Sequence, residues 1–254
     1  MGTLSARDLL SVWEQGERLS PTGRALVLLA AACPGLPDDA LSALPLGCRE
    51  ARLLTLYEDT FGPELDLAAR CPQCGETLEV EVRIEDLQIG HSDALAGPAE
   101  LAPRKIEPVE IEDDGLRLLC RPLNSADLAA AVGCADAAAA HHLLAGRCVL
   151  SASRDGVAVE PSELTAAEME ALSRALSALD PGAEILLDLA CPGCGHCWQP
   201  LLDTAESLWS EIDAAARRLL REVHALARAY HWREADILAL SARRRRRYLE
   251  ILAK

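Results

Sequence analysis

The sequence predicts an α+β protein, mostly helical, built on a composite four-cysteine zinc ribbon with an inserted α+β lobe and a C-terminal helical arm. Three observations predict it. The clusters Cys71-Pro72-Gln73-Cys74-Gly75 and Cys191-Pro192-Gly193-Cys194-Gly195 stand at one offset, 191 minus 71 and 194 minus 74 both being 120. Aromatic residues make up only 3% of the chain, so the core must be built from Leu, Ala and Val, and Leu- and Ala-rich stretches favour helix. From Leu208 onward, Ile212, Ala216, Leu219, Val223, Leu226 and Tyr230 recur at three- and four-residue spacing, an apolar stripe that makes this the clearest helix in the sequence.

The paired clusters carry the chemistry. A Cys-x-x-Cys pair followed by Gly forms a tight turn that aims two thiolates, with backbone N–H groups behind them, at a cation; tetrahedral zinc needs two such turns. The metal ligands are therefore Cys71, Cys74, Cys191 and Cys194, holding one structural zinc per chain. A closed thiolate shell leaves no position for water or substrate, so this metal is a staple and not a catalyst. Free or redox-active cysteines are the alternative, but a thioredoxin-like pair needs a βαβ context and a helix starting at its first cysteine.

In chain order, the first sixty residues read as short helices. Ser5 with Asp8 forms a capping box ahead of Leu9, Leu10, Val12 and Trp13; Ser20-Pro21 opens a second helix that Cys33-Pro34-Gly35 ends. A third runs from about Arg49 to Thr60, before Phe61-Gly62-Pro63 breaks it. Glu64 to Val82 aligns with Glu184 to Leu202 at the offset of the cysteines, and each half reads as a β-hairpin with two ligands in its turn. In the first, Leu78, Val80 and Val82 alternate with Glu79 and Glu81, the period of a half-exposed strand.

Between the halves, His91 to Pro103 reads as a linker, and Val109 to Glu112 and Leu116 to Arg121 as a hairpin turned by Asp113-Asp114-Gly115. Ser125 is expected to cap one helix through the Ala-rich run to about Leu144, and Thr165 with Glu168 to cap another that stops before Asp180-Pro181-Gly182. After the long C-terminal helix, Arg233 to Leu240 and, behind a Ser241 cap, the stretch through Leu252 read as two more helices. Tyr248, Leu249 and Leu252 are expected to pack back, leaving Arg243 to Arg247 mostly solvated. The predicted division is 1–63, 64–83, 84–183, 184–202 and 203–254.

Composition narrows the function. The formal charge of −15 argues against a general nucleic-acid binder. It is unevenly spread: residues 217–254 hold 11 basic and 4 acidic groups, against 14 basic and 36 acidic before them. The basic tail suits an acidic partner or the chain's own acidic body. The longest apolar stretch, Ala25 to Cys33, is about half what a membrane span needs, and the N-terminus lacks a basic start ahead of a hydrophobic run, which reads as a soluble, cytoplasmic protein. Cys33, Cys48, Cys120, Cys134, Cys148 and Cys197 read as buried reduced thiols. His196 and Cys197 match Glu76 and Thr77 in the repeat, so they read as strand residues, and His141-His142 as a surface or packed pair. No HExxH, GxxxxGK[ST], GxSxG or GxGxxG motif occurs, so no catalytic residue is assigned.

The tail from Leu219 to Leu240, with His224-Ala225-Leu226-Ala227-Arg228-Ala229-Tyr230-His231-Trp232 at its centre, then Arg243-Arg244 and Tyr248-Leu249, resembles the baseplate and baseplate-hub assembly family of contractile-tailed phages and of bacterial phage-like contractile injection systems. Relatives are similar over Leu53-Leu54, Phe61-Gly62-Pro63, both knuckles, Leu123 to Leu128 and Asp180-Pro181. The resemblance implies a non-enzymatic baseplate assembly factor or minor baseplate component, free in the cytoplasm or incorporated in a phage-tail-like particle. Its implied partners are hub or wedge proteins of a contractile tail, with no membrane. The implied docking surface is His224, Tyr230, Trp232, Ile237, Leu238, Leu240, Arg243, Arg244 and Tyr248. The competing readings are a zinc-ribbon nucleic-acid-binding regulator and, third, a zinc hydrolase.

Overall fold

The computed structural model describes residues 3–87, 107–113 and 115–253. Local signals set the first two helices. The Ser5 hydroxyl accepts the Asp8 N–H while the Asp8 carboxylate accepts the Ser5 N–H, opening α1 (Ala6–Gly16). Ser20 caps α2 (Pro21–Ala32), with Pro21 in the first turn. A one-turn helix, α3 (Asp38–Ser42), follows. The next helix, α4 (Leu46–Phe61), starts three residues before its expected Arg49, because its cap is not local. Pro45 offers no side-chain acceptor, and Asp180, remote in sequence, accepts the Gly47 N–H at 2.8 Å through Oδ2.

A Cβ at residue 47 would collide with the Asp180 carboxylate, so Gly47 is required at this close approach. Gly47→Ala is expected to cost about 2–3 kcal/mol, from overpacking together with the displaced cap. A urea unfolding midpoint unchanged from wild type would show that Asp180 does not sit there.

Behind α4, β1 (Glu64–Arg70) pairs antiparallel with β2 (Thr77–Arg83), which runs into α5 (Ile84–Leu87). The linker expected over 91–103 lies outside the described residues. Further on, β3 (Val109–Asp113) and β4 (Leu116–Cys120) pair as the sequence predicts, around a turn in which Gly115 takes φ +81°. The Ala-rich run is not one helix. Asn124, not Ser125, is the cap of α6 (Ser125–Ala131), and Asp136 caps a separate α7 (Ala137–Cys148) across the Gly133 break. A second hairpin not expected from the sequence, β5 (Val149–Arg154) and β6 (Val157–Ala158), completes the sheet β3-β4-β5-β6; its Asp155-Gly156 turn has both φ angles positive, the hairpin signal of such a dipeptide. Leu116, Leu118 and Cys120 of this sheet bury against Ala145 of α7 and Leu172 of α8 (Ala166–Leu179), which Thr165 and Glu168 cap reciprocally.

Then come β7 (Leu189–Ala190) and β8 (Cys197–Trp198), followed by α9 (Thr204–Tyr230), α10 (Glu234–Leu238) and α11 (Ala242–Leu252). The first half of α9 is not a projecting arm. Its stripe (Leu208, Ile212, Ala216, Leu219) lies in the main core with Leu10 of α1, Leu28 and Leu29 of α2, and Leu53 and Leu56 of α4. Each such Leu or Ile gains roughly 1.5–3 kcal/mol on burial, so the stripe is consumed by the fold. Trp209 fills the space a side chain at Gly16 would need and stacks under Arg24, 4.8 Å from guanidinium carbon to ring centre. Trp13 Nε1 donates to Asp213 at 2.8 Å. Beyond Leu219, Val223 and Leu226 form a smaller cluster with Ile237.

Candidate metal centre

The two hairpins repeat one geometry. Ala69 opposite Leu78 and Arg70 opposite Thr77 in the first correspond to Leu189 opposite Trp198 and Ala190 opposite Cys197 in the second. In each turn the first cysteine's N–H donates at 2.8 Å to the carbonyl five residues on, Cys71 to Glu76 and Cys191 to His196. The glycine N–H returns to that cysteine's carbonyl at 2.9 Å, from Gly75 and from Gly195. Those glycines take φ +78° and +72°, which a side chain would strain. The second hairpin has the shorter ladder. Pro200 stands where the first has Val80, accepts from Leu187, and has no N–H to return.

The turns meet tip to tip. Cys71 Sγ lies 3.7 Å from Cys194 Sγ and Cys74 Sγ lies 3.6 Å from Cys191 Sγ, and all four sulfurs fall within 4.8 Å of one another. A tetrahedron with zinc–sulfur bonds of ~2.3 Å has edges of ~3.8 Å, so the donor set fits a four-thiolate ion. The first cysteine of each knuckle is buried and the second is exposed, so the site has an inner and an outer side. Each knuckle lies between two strands, without the helix a redox pair would start.

The electrostatics also suit a cation. Burial opposes ionising Cys71, yet the Cys74 and Gln73 N–H groups outweigh it and bring the thiol down to about 7. At Cys191 the Cys194 and Gly193 N–H groups favour the thiolate, but burial and the neighbouring Cys74 and Cys194 thiols leave it pushed up to about 12. Four thiolates this close repel one another and cannot all ionise unless a cation joins them, so metal uptake displaces protons.

One neighbour of the cluster was not legible from the repeat. The Glu76 carboxylate reaches across to the second knuckle, 3.6 Å from Cys191 Sγ, and occupies the space that a side chain at Gly193 would need. Gly193 stands where the first knuckle has Gln73, and this departure was the available signal. His196 stacks on Trp198, ring centres 6.1 Å apart, and neither it nor the exposed Cys197 joins the sulfur cluster. His141 and His142 are exposed on α7. A cavity of about 420 Å³ is lined by Leu144, Met169, Leu172, Leu176 and Asp180, with His141 and Glu184; among the described residues its groups form no metal-ligating cluster.

The tail residues are dispersed. Tyr230, Trp232 and Tyr248 form one aromatic cluster, with ring centres 4.8 to 5.7 Å apart. Ile237 is completely buried, Leu238 and Leu240 are half-buried, and His224, Arg243 and Arg244 are exposed. The five-arginine run is not uniformly solvated: Arg245 is buried, donating to Glu222 at 2.9 Å and to the Leu240 carbonyl at 2.6 Å. Leu252, expected to pack back, is 40% exposed.

A family model described as T4 bacteriophage base plate protein matches residues 7–203. The matched span takes in the helical lead-in, both knuckles and the insertion, and stops where α9 begins, before the tail segment at 219–249. No curated protein and no solved structure matches the chain.

Proposed function

Since this chain belongs to the T4 bacteriophage base plate protein family, we propose that it is a non-enzymatic assembly factor or minor component of the baseplate of a contractile, phage-tail-like injection particle, stapled by a structural zinc ion. The observation that carries this reading is the match over residues 7–203, a span in which all four cysteines lie. Zinc bound by Cys71, Cys74, Cys191 and Cys194 supplies a closed shell with no catalytic position. The chain's own residues do the rest: Leu65, Ile185 and Leu202 of the hairpins enter the main core, so the direction of both hairpins is set relative to α9.

The partner, a hub or wedge protein, docks on the far end of α9 with α10 and α11, where His224, Tyr230, Trp232, Leu238, Leu240, Arg243, Arg244 and Tyr248 offer surface and the buried Ile237 supports them from beneath. The division at 63, 83, 183 and 202 is part of the same reading, with the knuckles as joints between a helical lead-in, an inserted lobe and the C-terminal helices. Among the described residues no helix is long and apolar enough to cross a membrane. Co-expression with neighbouring tail genes tests the role. The chain is expected in the finished sheathed particle or in a precursor complex, and its recovery in neither would sink the proposal.

A further inference from the structure

Most arginines beyond the middle of α9 lack a counter-charge among the described residues. Arg228, Arg233, Arg243, Arg244 and Arg246 are exposed and form no ion pair among the described residues, whereas Arg245 and Arg247 are engaged by Glu222 and Glu250. The same helices expose Leu220, Ile251 and Leu252, apolar contacts within a basic field. The opposite imbalance lies on the outer face of the β1–β2 hairpin. Glu64, Asp66, Glu79 and Glu81 are exposed there against two arginines on the same face, Arg70 turned to the Gly75 carbonyl and Arg83 to Glu85, and Asp66 stands directly across from Glu81, a like-charge pairing that weakens an isolated hairpin. The fold does not require it, because the equivalent pair in the second hairpin is Leu186 with Leu201.

The chain's own arm cannot answer this acidic face. Leu65 of β1 lies in the main core with Leu208 and Ile212, which puts the base of the hairpin beside the early turns of α9. Arg245 anchors α11 at Glu222, farther along that helix by about 16 Å at 1.5 Å per residue, twice the screening length of about 8 Å at physiological salt. We propose that the arginine face of α9 and α11 docks on the acidic β1–β2 face of a second copy of this chain, so that copies associate head to tail. The interface is heterologous, and its repetition closes a ring or grows a filament. This rests on the reading of the arm as a docking surface and adds a second copy of the chain to the hub or wedge protein as its occupant.

Sedimentation of the full-length chain tests it. At about 50 mM salt the mass should rise above the monomer with concentration, and at about 500 mM it should return to the monomer. The triple variant Arg243→Glu, Arg244→Glu, Arg246→Glu and the double variant Glu79→Lys, Glu81→Lys should each stay monomeric and folded, the double variant melting no lower than wild type because Glu81→Lys relieves the like-charge pairing with Asp66. Their equimolar mixture should regain mass, because the reversed patches complement each other. A wild type that stays monomeric at low salt overturns the second copy as partner, and so does association that persists in either variant. Should that monomer still co-purify with the particle, the baseplate role stands without the second copy. A monomer that instead binds duplex DNA with steep salt dependence assigns the arginines to phosphate and overturns the proposal.

Discussion

Cys71→Ser and Cys191→Ser are each expected to lower the metal content from about one ion per chain to none and to destabilise the protein equally, by more than about 4 kcal/mol. The equality follows from the repeat: both are the first cysteine of a knuckle, both are nearly inaccessible at 1% and 2% exposure, and both make the same backbone hydrogen bond. The loss should propagate beyond the knuckles, because Leu65, Ile185 and Leu202 on the hairpins are members of the main core. Most helical signal should survive, since that core holds none of the four ligands. Elemental analysis alongside thermal unfolding measures both effects. Cys197→Ser, exposed and outside the cluster, is the control and should match wild type. A Cys71→Ser protein that keeps its metal would show that these thiols do not form the centre.

Asp127→Ala is expected to cost about 3–5 kcal/mol, because it strips two arginines of a fully buried carboxylate. Asp127 accepts from Arg121 Nη1 at 2.7 Å and Nη2 at 2.9 Å, from Arg147 Nε at 2.8 Å, and from the Asn124 N–H at 3.0 Å, tying the residue that follows β4, α7 and the α6 cap together. Burial alone would raise its carboxyl, but the hydrogen bonds from Arg121 and Arg147 prevail and hold it below the ordinary carboxylate range. A depressed folded-state value stabilises above the unfolded value of about 4 and loses that contribution as pH falls through the folded value. The stability gap between wild type and Asp127→Asn should therefore be widest near neutrality and narrow in acid. Urea midpoints at about pH 7 and about pH 3 measure it, and a gap independent of pH would mean that the carboxylate is not charged in the folded protein.

The elements that were legible in advance have their causes within a few residues. Ser5 and Asp8, or Thr165 and Glu168, meet within one turn, and each knuckle turn is closed between its first cysteine and the residue after its glycine. The meeting of the two knuckles was legible despite their separation because four soft ligands suit one tetrahedral ion. The Glu76 contact beside the site was not, since its only trace is remote in sequence, the Gly193 that leaves room for the carboxylate.

Elsewhere the deciding contacts were remote. The start of α4 depends on Asp180, the burial of Arg245 on Glu222, and the fate of the α9 stripe on three helices from the first sixty-one residues. The spacing of Leu208, Ile212, Ala216 and Leu219 determines that α9 is a helix with one apolar face, for periodicity is a property of the backbone. Whether that face meets the chain's own core or an outside partner is decided by which surfaces chain closure brings within van der Waals reach, and only the tertiary structure contains that.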